Sequence, residues 1–146
     1  MTIQFYSRLH NGYRSFSNFY ERKFAYNGIR FASVEHYFQS MKFSETAPEW
    51  AIQVRNAPTP LKAQKLGRNR NYPIHPQWEQ IKVSIMKQGL ICKFSQNEDL
   101  KSLLLSTGKE LLLEVNPHDS YWGMGKNGEG KNMMGKLLME VREMLE

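Results

Sequence analysis

Three short stretches of this 146-residue sequence bring ionisable and aromatic side chains together at spacings that can do chemistry. In Ser33-Val-Glu-His-Tyr-Phe-Gln-Ser-Met-Lys-Phe43, Glu35, Gln39 and Lys42 fall at i, i+4 and i+7, on one face of a helix. The plain reading of that face is a solvated Glu–Gln pair. Against it stand Tyr37, Phe38 and Phe43, aromatic enough to keep most of the helix circumference covered. Glu35 also lies in the first turn, where the helix dipole and free N–H groups favour an anion. A carboxylate in such a place suits a catalytic base or the stabilisation of a cation. The second stretch is Trp78, just beyond a basic loop holding Arg68 and Arg70. Trp78 reads either as core or as a flat wall that stacks a base, with the arginines nearby to take phosphate. The third is Asn116-Pro-His-Asp-Ser-Tyr-Trp-Gly-Met-Gly125, which sets Asp119 and Trp122 on a loop. Scaffold-held loops concentrate site residues, although an Asp in a loop more commonly just starts an Asx turn.

Two motif matches by letter are rejected. Gly123-Met-Gly-Lys-Asn-Gly128 fits G-x-G-x-x-G, but no strand directly precedes it and its glycines open no helix. Gly130-Lys-Asn-Met-Met-Gly-Lys136 resembles a phosphate loop, yet Leu137 stands where a Ser or Thr would hold magnesium, and Gly135 and Lys136 fall inside an expected helix. His10, His36, His75 and His118 show no metal-ligand spacing. Cys92 sits on the apolar face of its helix. No metal or cofactor is called for.

The elements that must position these residues are legible in outline. Ile3–Tyr6 reads as a short strand and Arg14–Tyr20 as an irregular, partly buried loop. Lys23–Phe31 reads as a hairpin around Asn27-Gly28, the pair that supplies the positive φ of a tight turn. Ser33 is placed to cap a helix from Val34 to about Phe43. Pro48–Arg55 and Pro60–Leu66 read as short proline-opened helices, the second closed by Gly67. Arg68–His75 is a basic loop, about Gln77–Phe94 the longest helix, Asp99–Leu105 a further helix, and Leu111–Val115 a strand. A glycine-rich stretch over 116–131 follows, and Asn132 is expected to cap a last amphipathic helix through Met134, Leu137, Leu138, Val141 and Leu145. This order does not repeat βαβ units. The expectation is one mainly helical α+β domain, residues 1–146, with a small antiparallel sheet.

Composition narrows the classes further. A hydrophobic fraction of 40% with 12% aromatics argues for a packed globule, and a mean hydropathy of -0.60 for solubility. The longest apolar runs fall well short of the roughly 20 residues a bilayer requires. One cysteine and no apolar leader point to a reducing, cytoplasmic setting. The net charge of +6 fits an anionic partner, although the basic residues are spread along the chain and not gathered in one tract.

Taken in order, these stretches resemble the NADAR (YbiA-like) family over nearly the whole chain. The matching motifs are Phe16-Ser-Asn-Phe19, Ser33-Val-Glu-His-Tyr-Phe-Gln39 with Lys42-Phe43, Ala63-Gln-Lys-Leu-Gly-Arg68, Trp78-Glu79, Lys93-Phe94, Asp119-Ser-Tyr-Trp-Gly123 and Asn132–Met139. Where the family often has Thr-Ser-Glu-His, this chain has Ala32-Ser-Val-Glu-His36, which keeps Glu35. The resemblance implies a YbiA-like fold and an N-glycosidase that needs no cofactor. It puts functional positions at Glu35, Trp78, Asp119 and Trp122, with Asn18 and Arg68 as further substrate-binding candidates. Lys42 matches a lysine associated with a covalent imine route. The implied substrates are phosphoribosylamino-pyrimidine intermediates of riboflavin biosynthesis or, alternatively, ADP-ribosylated guanine in nucleic acid. A third reading is a non-catalytic ADP-ribose or nucleotide-binding module. Breaking a ribose C1–N bond calls for two carboxylates, one a base toward water and one an ion stabiliser. The sequence leaves open which of Glu35 and Asp119 is which, and it leaves the oligomeric state open.

Overall fold

The computed structural model describes all of residues 1–146. In chain order the elements are β1 (Thr2–Phe5), a 3-10 turn (Arg14–Phe16), β2 (Phe24–Tyr26), β3 (Ile29–Phe31), α1 (Val34–Met41), α2 (Pro48–Arg55), α3 (Pro60–Gly67), α4 (Trp78–Gln96), α5 (Glu98–Ser106), β4 (Leu111–Glu114) and α6 (Met133–Leu145). The fold is mainly helical α+β, as expected. Its antiparallel sheet is the β2–β3 hairpin, with Phe24 opposite Phe31. The turn is built as Asn27-Gly28 predicts, with φ of 51° and 77°. A second pair, β1 with β4, is parallel, with Thr2 opposite Leu111 and Phe5 opposite Glu114.

The chain forms two units, Asn18–Lys93 and Met1–Ser17 with Phe94–Glu146. In the first, Tyr37 on α1 is the hub. Its ring meets Phe24, Tyr26 and Phe31 of the hairpin edge-on at 5.3–5.8 Å, and its hydroxyl donates to the Ile85 carbonyl. Gly89 on α4 leaves room for that ring, because a Cβ there would lie 2.6 Å from it. On the other side of α1, Phe43, Val54 and Ala63 form a buried cluster with Trp50 and Leu66 packed against it. Phe43 is wholly buried, so Phe43→Ala is expected to cost about 3–5 kcal/mol.

The second unit is built on the parallel pair. Gly135 of α6 lies against β4 so closely that a Cβ would collide with the Leu112 carbonyl oxygen. Arg142 donates to Thr107 Oγ1 and the Glu110 carbonyl, which ties α6 to the α5–β4 turn. Phe16 packs between Phe5 and Phe94.

At two helix ends the residue stands where expected but for a different reason. Gly67 does close α3, as its last residue, but without the positive φ that a glycine at a helix end commonly takes. It is a glycine because Gln39 of α1 presses on it. Asn132 does stand at the start of α6, but with φ 52° and no side-chain bond to the helix. Its amide turns instead to β4, donating to the Leu112 carbonyl and accepting from the Glu114 N–H.

Candidate active site

Within the Asn18–Lys93 unit, the first turn of α1 fixes the position of Glu35. Ser33 Oγ accepts from the His36 N–H at 3.1 Å and so caps the helix. The same hydroxyl bonds His36 Nδ1 at 2.7 Å, while His36 Nε2 bonds the Ala57 carbonyl at 2.9 Å. A carbonyl only accepts, so Nε2 carries a hydrogen and donates it. His36 is thus a buried strut. The Glu35 N–H donates to the Asn18 carbonyl, which brings Asn18 against the same turn.

Glu35 is buried at 5% exposure, contrary to the solvated face that its spacing also allowed. Gln39 Nε2 donates to its Oε2 at 2.8 Å. Burial drives the carboxyl pKa up; the Gln39 and Gln64 amides and the charges of Lys42 and Arg68 only partly oppose it. Lys42, at the C-terminal end of α1, is also buried. Burial and the neighbouring Arg70 push its ammonium down to about 8, against the pull of Glu35. Its Nζ stands 6.0 Å from the Phe38 ring centroid, and Phe38 packs on Trp78 at 5.0 Å. Trp78 is 5% exposed, so it is a core residue whose neighbour borders Lys42. Asn18 is also buried, its Nδ2 toward Met86 Sδ and its Oδ1 without a hydrogen-bond partner. Glu35, Lys42, Asn18, Trp78 and Arg68 are therefore gathered around one helix. Arg68 is itself exposed and enters by its charge.

Asp119 and Trp122 lie in the other unit, on the glycine-rich stretch. Asp119 Oδ1 accepts from the Tyr121 and Trp122 N–H groups at 3.0 and 2.9 Å, an Asx turn that leaves Oδ2 uncommitted by these bonds. The Trp122 carbonyl takes the Met134 N–H at the start of α6. Gly123 is held between the Glu114 and Asp119 carbonyls, where a Cβ would lie within about 3 Å of both. The loop is thus laced to β4 and α6, and it presents a half-buried Trp122 edge-on to Tyr121 at 4.9 Å. No group of three or more His, Cys, Asp or Glu side chains is placed to hold a metal ion.

The model of the NADAR domain matches residues 4–146. The chain belongs to the NADAR family. It is 41% identical over 143 residues to the N-glycosidase YbiA of Shigella flexneri serotype 5b, covering 98% of this chain and 88% of that one. An N-glycosidase of Nostoc punctiforme is 40% identical over 144 residues, covering 98% and 92%. A chloroplastic riboflavin biosynthesis protein of Zea mays, PYRR, is 38% identical over 118 residues, covering 75% of this chain and 19% of that one. The NMR structure of Escherichia coli YbiA matches with a TM-score of 0.88 at 39% identity, covering 99% of this chain and 84% of that one. This NADAR chain is accordingly a hydrolase of the N-glycosidase class.

Two features of the site escaped the sequence reading. Gln64 acts on Glu35 from α3; its only signal was its place in the Ala63–Arg68 motif, three residues before Gly67. Trp50 and Tyr72 stack at 4.3 Å and 6° beside the C-terminus of α3, where Trp50 Nε1 donates to the Leu66 carbonyl and Arg70 to that of Gly67. They lie 22 positions apart, and no local pattern links them.

Proposed function

We propose that this protein hydrolyses the C1–N bond between a phosphoribose and a nitrogenous base, with phosphoribosylamino-pyrimidines as the substrate class. The observation that carries the reading is the buried Glu35 carboxylate, held by Gln39 beside the cations of Lys42 and Arg68. A carboxylate so placed suits either role in the reaction, base toward water or partner to the cationic sugar. As the C1–N bond lengthens, its electron pair leaves with the nitrogen and positive charge spreads over C1 and the ring oxygen. Water adds through oxygen to C1, its proton passes to a carboxylate, and the departing nitrogen takes up a proton. Relatives named as N-glycosidases and as a riboflavin biosynthesis protein support the bond type and the substrate class. Asp119 and Trp122 enter through the motif they share with the family, as second carboxylate and as a wall for the substrate. Arg68 and Asn18 are the candidate contacts for phosphate and sugar.

The test is incubation with a phosphoribosylamino-pyrimidine and detection of released ribose 5-phosphate. Glu35→Gln and Asp119→Asn are each expected to lower turnover by about 10²–10⁴-fold, the range of a lost general acid–base, with the fold intact. Full activity in either variant removes that residue from the mechanism.

A second reading, removal of ADP-ribose from guanine in nucleic acid, is favoured by the charge distribution. Residues 18–93 hold 12 Lys and Arg against 5 Glu and no Asp, whereas the rest of the chain holds 8 against 9 acidic residues. Presenting both substrates in parallel decides between them, because only the nucleic-acid reaction requires the polymer. A covalent route through Lys42 is open as well: an amine lowered to about 8 is partly neutral near pH 7.5 and can form an imine with an opened sugar aldehyde, releasing water. Borohydride converts such an imine to a stable amine. Absence of a trapped adduct on Lys42 during turnover counts against that route.

A further inference from the structure

The α1–α3 contact has a feature that neither packing nor the reaction scheme above uses. Gln39 is 5% exposed and its Nε2 donates to Glu35 Oε2 at 2.8 Å, yet its Oε1 has no hydrogen-bond partner. A buried amide with an orphaned oxygen is costly, so the orientation must be held by something other than that oxygen. Reversing the amide would set its oxygen against the carboxylate. What holds the other end is Gly67 of α3. A Cβ on Gly67 would collide with Gln39 Oε1 and lie 2.8–2.9 Å from Gln39 Cδ and Cβ. Three residues earlier on α3, Gln64 lies near enough to Glu35 for its amide to favour the charged form, as the smallest of the influences on that carboxyl. Glu35 and Gln39 on α1 (i, i+4) thus face Gln64 and Gly67 on α3 (i, i+3).

We propose that Gln39 is a positioning residue for Glu35, with Gln64 in support: the close approach of α3 at Gly67 aims the Gln39 amide donor at the carboxylate, fixing its orientation and offsetting part of the cost of its charge inside the protein. This rests on Glu35 being the reactive carboxylate, a role that the two amides serve without touching substrate. An amide N–H satisfies an ionised carboxylate without neutralising it, which an ammonium in the same place would also do at the expense of an ion pair. It therefore offsets part of the desolvation of the buried anion while leaving Lys42 available for its own role. The charges acting on Glu35 are Lys42 on its own helix and Arg68 at the end of α3, while Arg70 and Glu79 act on Lys42. All four remain unchanged in the variants below.

The experiment follows the Glu35 side-chain carboxyl carbon by NMR against pH in protein labelled at glutamate, the resonance being assigned by its loss in Glu35→Gln. Gln39→Leu removes the amide at nearly constant volume, and its titration midpoint is expected about one unit higher than in the unsubstituted protein. Gly67→Ala keeps the amide but displaces it, and should move the midpoint the same way. Alanine favours a helix over glycine, so a retained or raised melting temperature shows that α3 is intact. Gln64→Leu should shift it upward by a smaller amount. Superimposable titrations in Gln39→Leu and Gly67→Ala, or a downward shift, overturn the proposal. Because this readout needs no substrate, it stands apart from the functional reading, which fails instead if Glu35→Gln retains full turnover. In the active enzyme, the acid limb of kcat/KM should move with the NMR midpoint in both variants, a shift that loss of packing alone would not produce.

Discussion

Glu35 and Asp119 are two carboxylates with different surroundings, and the difference predicts how each responds to substitution. Asp119 serves its own loop through Oδ1. Asparagine preserves that acceptor and removes only the charge, whereas alanine removes both. Asp119→Asn and Asp119→Ala should therefore lose turnover to a similar extent, but only alanine should loosen the loop, read as a change in Trp122 fluorescence. Equal fluorescence in the two variants would show that the Asx turn does not order the loop. For Glu35 the consequence lies in stability. Its pKa in the folded protein is raised by burial, so the native state binds that proton more tightly than the unfolded chain. The favourable contribution is present below the unfolded pKa and is lost as pH rises through the folded one. At pH 7.5, well above the ordinary glutamate value, the group is a net cost to folding, so Glu35→Gln should raise the melting temperature there. At about pH 4, where glutamate is itself protonated, the gain should vanish. Lys42 has the opposite pH dependence, since its pKa is lowered to about 8. Lys42→Met should stabilise the protein below pH 8, with the gain fading as pH climbs toward the unfolded value of about 10.4.

At the scale of elements, α1 is where sequence and structure agree most closely. Its serine cap, its first-turn glutamate and its aromatic circumference were all legible, because capping and 3.6-residue periodicity are local properties. Ser33→Ala removes the cap and the hydroxyl that His36 Nδ1 uses. A loss of about 1–2 kcal/mol in denaturant-derived stability is expected, with kcat falling as well because Glu35 lies in the first turn that the cap opens. Unchanged stability would mean that packing around Tyr37 alone fixes the helix start. The features that escaped the sequence are those fixed at a distance. The β1–β4 ladder joins residues 109 positions apart, and a four-residue strand does not announce a parallel partner. Gly67 was legible as the end of α3, because glycine commonly plays that part; only the arrival of Gln39 from another helix shows that it also makes room. Asn132 likewise matched a capping pattern, but β4 offered its amide better partners than the helix did. At the site itself, residue types and motif order singled out Glu35 and Lys42, while burial, which decides their chemistry, depended on three helices packing together.

For the whole molecule, the net charge of +6 is unevenly divided. The excess lies in residues 18–93, and the remainder is close to neutral. Read along the sequence, the basic residues look scattered, because the boundary at Asn18 and Lys93 is set by folding. Lys62, Lys65, Arg68 and Arg70 are all exposed within one nine-residue span, and Arg68 lies near enough to Glu35 to act on its charge. Such a field attracts a phosphorylated substrate before it is bound and is screened over about 8–10 Å at ordinary ionic strength. Added salt should therefore lower kcat/KM for a phosphorylated N-glycoside while leaving kcat nearly constant, since steering affects encounter more than bond cleavage. The double variant Lys62→Glu, Lys65→Glu should flatten that salt dependence and lower kcat/KM at low salt, again with kcat preserved. The dephosphorylated N-glycoside is the control, and its kcat/KM should respond little to salt in either protein. If kcat/KM for the phosphorylated substrate is the same from 20 to 300 mM salt, the charge of residues 18–93 has no part in substrate capture and belongs only to the solvated surface.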